Sequence, residues 1–154
     1  MQRVVILGRG GSGKSSLAQR LSHGLDLPVV ELDGIFWRPG PLPTPEREWA
    51  EIQRDLIAPD RWIIDGDLGR YDTGLELRLR AADTVVVLDF GLWRCVWRAL
   101  PRSPETREFW TWVWRYRRDS LPSITGAIAT DASHANVHML RNPRQVRRFL
   151  DSAT

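Results

Sequence analysis

Residues 8–15 read Gly-Arg-Gly-Gly-Ser-Gly-Lys-Ser, a complete G-x-x-x-x-G-K-[ST] phosphate-binding loop. The apolar run Val4-Val5-Ile6-Leu7 stands directly before it. A short buried strand therefore leads into the loop, and a helix opens at Lys14. The glycines let the backbone turn its N–H groups inward, and the helix adds its positive end to the same anion hole. Lys14 is expected on the β- and γ-phosphates of a nucleotide, with the Ser15 hydroxyl on Mg²⁺. Gly8, Gly10, Gly11, Ser12, Gly13, Lys14, Ser15 and Ser16 are the expected nucleotide contacts. Of the chain's 22 basic residues, Lys14 is the only lysine; the rest are arginine. A compact ammonium fits among phosphates where a planar fork does not.

Carboxylates recur where strands should end. Asp65, after Trp62-Ile63-Ile64, is the first choice to hold the water shell of Mg²⁺, and Asp89, after Val85-Val86-Val87-Leu88, the second. Either could instead be a helix cap or a turn former. Asp33 sits in Glu31-Leu32-Asp33-Gly34-Ile35-Phe36-Trp37, an acid followed by aromatics on an expected loop. It is positioned to take a proton from an attacking hydroxyl, with Phe36 or Trp37 stacking on a flat acceptor. Alternatively, the two rings form a hydrophobic plug beneath the proline-rich stretch that follows.

Arginines supply the charge that phosphoryl transfer needs around the migrating group. Arg94 and Arg98 share one helix face, Arg102 follows just past Pro101, and Arg115 and Arg118 lie on the next helix. Arg98 and Arg115 are the expected catalytic pair. Trp93 with Trp97 and Trp110 with Trp114 are spaced four apart, which predicts a packed seam between those two helices.

Apolar runs alternate with helical patterns, so the fold class is α/β with a mostly parallel sheet and helices on both faces. The expected strands are Arg3–Leu7, Pro28–Leu32, Arg61–Asp65, Thr84–Phe90 and Asn136–Leu140. Expected helices are Lys14–Leu25, Pro45–Ile57, Gly74–Ala82, Leu92–Leu100 and Glu105–Ser120, with another piece starting near Pro122 and a last one from Pro143 to Asp151. Arg38–Pro45 carries four prolines in eight residues, a stiff non-helical connection.

A length of 154 residues suits one domain, 1–154, and 42% hydrophobic with 27% charged residues is ordinary for a globular chain. No apolar stretch approaches a membrane span and no leader is visible, so a cytoplasmic protein without a membrane partner is expected. The single cysteine, Cys95, rules out an internal disulfide, and His23, His134 and His138 are too dispersed for a metal site. A net charge of +3, spread without a basic run, is compatible with nucleic acid but does not favour it.

In combination, Gly8–Ser15, Leu32-Asp33 with Phe36–Gly40, Trp62–Gly66 and Ala82–Val85 resemble the small adenylate kinase-like P-loop proteins often labelled DNA topology modulation proteins. That resemblance runs through most of the chain. It implies a nucleotide-kinase fold with sheet order 2-3-1-4-5, ATP and Mg²⁺ at the phosphate loop, and a donor adenine near Arg141-Asn142-Pro143. Arg141 joins the expected cofactor contacts on that ground. Asp65-Gly66 followed by Arg70 is similar to the acceptor-phosphate loop of adenylate kinases. Two departures stand out: a lid shortened to Pro101–Pro104 within residues 98–118, and Asp67 where the family pattern leads one to expect Asn. The reading favoured is an ATP-dependent phosphotransferase acting on a nucleoside, nucleotide or similar hydroxyl compound. The alternative is a regulatory nucleotide-binding protein affecting DNA topology, with little or no kinase activity.

Overall fold

The computed structural model describes residues 1–40, 42–100 and 106–154. Its elements are β1 (Arg3–Gly8), α1 (Lys14–Leu25), β2 (Val29–Glu31), α2 (Leu32–Phe36), β3 (Trp37–Arg38), β4 (Leu42–Pro43), α3 (Glu46–Ile57), β5 (Trp62–Asp65), a short 3₁₀ turn (Gly69–Tyr71), α4 (Leu75–Ala81), β6 (Thr84–Leu88), α5 (Leu92–Ala99), α6 (Arg107–Asp131), β7 (Asn136–Leu140) and α7 (Pro143–Ala153). Five strands form a parallel sheet in the order β2-β5-β1-β6-β7. Counting only those five along the chain, this is the expected order 2-3-1-4-5. β3 and β4 pair separately as a small antiparallel ribbon within the proline-rich stretch.

Alternation along the central strand sorts the core into two layers. Val4 and Ile6 face α1 and α7, meeting Leu17, Leu21, Phe149 and Leu150. Val5 and Leu7 face the other way, among Trp49 of α3, Leu79 of α4 and Tyr116, Ile124 and Ile128 of α6. Strands buried on both faces read as continuous apolar runs, which is how Val4–Leu7 and Val85–Leu88 appear in the sequence. The carboxyl ends of β1, β2, β5 and β6 therefore open on one edge, with the phosphate loop among them.

Three elements differ from expectation. The second strand ends at Glu31, and Leu32–Phe36 turns into a short helix that places Asp33 on its first turn. The expected strand to Phe90 stops at Leu88. The expected break near Pro122 is absent: α6 runs 25 residues straight through that proline. Its buried face continues in register on either side, through Val113, Tyr116, Ile124 and Ile128, and that burial outweighs the lost backbone hydrogen bond. Thr125 Oγ1 also donates to the carbonyls of Leu121 and Pro122 at 3.0 Å each.

A buried ion pair ties α4 to the turn that follows β5. Arg78 is fully buried, its Nη2 donating to Asp72 Oδ2 at 2.6 Å and its Nη1 to Gln53 of α3. Arg78→Leu leaves the Asp72 carboxylate buried and unpaired, a loss of about 3–5 kcal/mol for such a site. Urea unfolding should show the midpoint falling accordingly, with Asp72→Asn in the same background restoring part of the loss.

Candidate functional site

β1 delivers Gly8 into the loop, and Gly13 closes it in the left-handed region at φ 96°, directly before the first turn of α1. A side chain at Gly11, also left-handed at φ 76°, would run into the carbonyl oxygen of Cys95 on α5. The ring of Phe109, at the start of α6, lies over Gly10, and Arg98 Nη1 sits 3.1 Å from the position of a β-carbon on Gly13. The glycines thus let α5 and α6 rest on the loop itself. Lys14 Nζ donates to the carbonyls of Gly8 at 2.9 Å and Arg9 at 3.3 Å, curled along its own loop.

A cleft of about 180 Å³ opens beside it, lined by Gly10, Gly11, Lys14, Ser15, Glu31, Asp33, Asp65, Ala99 and Phe109. The structure thus brings Lys14, Ser15, Asp33 and Asp65 together from β1–α1, α2 and β5. Asp65 Oδ1 is buried and has no hydrogen-bond partner among the described residues; Ser12 Oγ and Arg9 Nη1 share that condition. Burial raises the Asp65 carboxyl above its usual range, Lys14 and Ser15 pull it back, and Glu31 and Asp33 add to the rise. A buried carboxylate with a free oxygen, next to a serine hydroxyl and a lysine, fits a hydrated divalent cation carried by phosphates. Among the described residues no three His, Cys, Asp or Glu side chains form a metal site of their own.

Asp89, the second choice for Mg²⁺, is engaged otherwise. Its Oδ1 accepts from Arg117 Nε at 2.8 Å, and Arg141 Nε lies 3.7 Å from Oδ2. It anchors arginines of α6 and of the connection before α7. Beyond Arg141, Asn142, Pro143, Arg144 and Arg147 line an open pocket of about 480 Å³, at the segment expected to receive an adenine. Asn142 caps α7, its Oδ1 accepting from Gln145 N at 3.0 Å.

The aromatic expectations need correction. Phe36 is buried and Trp37 half-buried, edge to face with each other and packed against Trp49 and Tyr71. They form a hydrophobic plug, with Trp37 part of the ribbon itself and Phe36 buried, so Phe36 is not free to stack on an acceptor. The expected seam between α5 and α6 is present only in part: Trp93 meets Trp114 edge to face at 6.4 Å between ring centroids, but Trp93, Trp97 and Trp114 remain 74%, 79% and 64% exposed. α5 buries its small residues Cys95 and Ala99 against the loop instead, which turns its tryptophans outward.

The arginines divide. Arg98 is half-buried beside Gly13, whereas Arg94 is exposed with its guanidinium 5.4 Å from the Phe90 ring. Arg115 is exposed on α6 without a hydrogen bond or ion pair to another described residue, and Arg118 is exposed 3.6 Å from Asp119. Arg102, with the Pro101–Pro104 lid segment and the expected helix start at Glu105, lies outside the described residues. Ser16 is exposed in the first turn of α1.

Sequence reasoning missed Arg9, Glu31 and the partnership of Asp67 with Tyr116. Arg9 is buried over the Tyr116 ring, 5.5 Å from its centroid, and desolvation lowers its pKa. Tyr116 donates its hydroxyl to Asp67 Oδ2 at 2.9 Å, and Gly69 N donates to Oδ1 at 3.0 Å. Burial pushes the Asp67 carboxyl up from 3.8, opposed by Lys14. Between the unfolded and the raised folded value, the folded state binds more protons, so stability falls as pH rises through that window. Asp67→Asn should therefore raise the melting temperature at pH 7 by about 2–4 °C per kcal/mol recovered. No gain should appear well below the unfolded carboxyl pKa, under about pH 3, where both states are protonated. Thermal melts across that range check both.

No protein-family model matches the chain, and no curated protein matches it. Solved structures of the same fold do. The shikimate kinase of Acinetobacter baumannii, in complex with shikimate, aligns over 99% of this chain and 90% of its own, with a TM-score of 0.69 at 13% identity. A gluconokinase from Sinorhizobium meliloti aligns over 99% and 89%, with a TM-score of 0.57 at 16% identity. The shikimate kinase of Aquifex aeolicus aligns over 97% and 94%, with a TM-score of 0.55 at 20% identity. At such identities the likeness establishes the fold alone, one shared with these shikimate kinases and this gluconokinase.

Proposed function

We propose that this chain is an ATP-dependent phosphotransferase whose acceptor is a small hydroxyl compound. The observation that carries this reading is the meeting of Lys14, Ser15, Asp65 and Asp33 in one cleft at the carboxyl ends of the strands. The loop amides and Lys14 hold the donor phosphates, with Lys14 Nζ leaving the carbonyls of Gly8 and Arg9 to do so. Ser15, and Asp65 through water, would hold Mg²⁺, which neutralises and orients the β- and γ-phosphates. Arg98 is our choice for the guanidinium that spreads charge off the migrating group, because it already lies beside Gly13. Arg115, facing solvent on α6, is the weaker choice. Arg141 would border the adenine, next to the pocket before α7.

Asp33 receives the proton of the acceptor hydroxyl as its oxygen attacks the γ-phosphorus, the bond from that phosphorus to the β–γ bridging oxygen breaks, and ADP leaves. An anionic phosphate acceptor would instead be repelled by that carboxylate, which favours a hydroxyl. The gluconokinase and shikimate kinases of similar fold support this class of reaction, and they lend nothing to the DNA-topology alternative. No helix among the described residues is long and apolar enough to cross a membrane. The experiment is a screen of nucleosides, nucleoside monophosphates and sugars for acceptor-dependent ADP production. Formation of ADP only with hydroxyl acceptors is expected; ATP that is bound but never transferred refutes the reading.

A further inference from the structure

Four charged side chains line the cleft, and the transfer reaction employs three of them: Lys14, Asp33 and Asp65. Glu31 has no part in it. It closes β2 directly opposite Asp65 in the sheet register and is exposed to the cleft. Glu31 occupies the N-cap of α2, but its side chain makes no capping hydrogen bond. It has no hydrogen bond or ion pair to any other described residue. Its carboxylate nonetheless lines the cleft, across the register from Asp65.

The basic groups on this side are committed elsewhere. Arg38 pairs with Glu48, Arg70 with Glu108 and the Tyr71 hydroxyl, and Arg78 is buried on Asp72. Among the described residues no arginine lines the cleft. Once Lys14 is on the donor phosphates, an acceptor meets two carboxylates. One of them is enough to take a proton. The other is left to read the acceptor, by accepting a hydrogen bond from a hydroxyl or pairing with an ammonium, and by repelling an acid.

We propose that Glu31 selects the acceptor, which is an uncharged or amine-bearing polyol and not a carboxylate or phosphate. This rests on the phosphotransferase reading and narrows its substrate class. Shikimate, the ligand in one structure of similar fold, is a carboxylate and should be rejected.

The test is a matched panel: glucose, glucosamine and gluconate; adenosine and AMP; and shikimate. ADP release is followed for the wild type and for Glu31→Gln, with the fold of the variant checked by its melting temperature. Specificity constants for the neutral or amine-bearing members should exceed those of their acidic counterparts by at least about tenfold. Glu31→Gln should narrow that ratio by a similar factor, through the acceptor KM rather than kcat. The proposal is overturned if gluconate, AMP or shikimate serves as well as a neutral acceptor, if no neutral or amine-bearing member is turned over, or if Glu31→Gln leaves the ratio as it was. ATP binding, read by calorimetry on the same preparations, separates the two layers. Its absence removes the phosphotransferase reading itself, whereas ATP binding with an acid-preferring acceptor site removes only the role of Glu31.

Discussion

Lys14→Ala should lower turnover by about 10²–10³ while the melting temperature stays close to that of the wild type. The part-buried ammonium hydrogen-bonds only to the carbonyls of Gly8 and Arg9, so little of the packing rests on it. What it meets in the reaction is charge on the phosphates, and Arg98, the described cation beside Gly13, carries a broad guanidinium that does not substitute for it. Lys14→Arg should fail nearly as badly. A guanidinium is a broad plane with a fixed fork, and the space between the loop carbonyls accepts a compact donor. Steady-state kinetics with ATP, alongside thermal melts, decide the matter. Normal turnover in the arginine variant would sink the assignment of the phosphate loop.

The second large effect concerns Asp33. An acceptor hydroxyl begins protonated, and a carboxylate within reach lowers the barrier to its attack. Asp33→Asn keeps the shape of the first turn of α2 and removes the base. Turnover should fall by about two to four orders of magnitude, the usual worth of general-base help, with the affinity for ATP retained. Because Asp33 is exposed on a short helix, the substitution should cost little stability. Measuring kcat and ATP binding in parallel gives the answer. Unchanged turnover, with a nucleoside monophosphate as the preferred acceptor, would return the protein to the adenylate kinase side of its resemblance.

The phosphate loop was legible because every part of it is local. Strand, glycines, lysine and helix follow one another in sequence, and the backbone has few ways to join them. Strand order came with the resemblance and agrees with the pairing found. Other features were hidden for identifiable reasons. Tyr116 and Asp67 meet across 49 residues, a proximity that no periodicity announces. The burial of Phe36 follows from a five-residue helix, too short for an amphipathic pattern to mark. Pro122 argued for a break on local grounds, and the apolar face of α6 overrode it. For Trp93 and Trp97, spacing identified the shared face and the meeting of Trp93 with Trp114, but not how exposed that face stays, because the neighbouring face of α5 had to be small enough to meet the loop glycines. Glu31 carried a faint signal: it is an acid at a strand end, as Asp65 is, one strand away.

The solitary lysine also makes the phosphate loop chemically addressable. An amine-directed acylating reagent finds only one side-chain ammonium in this protein, so apart from the chain's own terminal amine any label marks Lys14. Intact-mass readings of such labelling, taken with and without nucleotide, become a footprint of loop occupancy that needs no engineered tag. The same solitude is a hazard at the bench, since tethering the protein to a sensor surface through its amines would silence the population being measured.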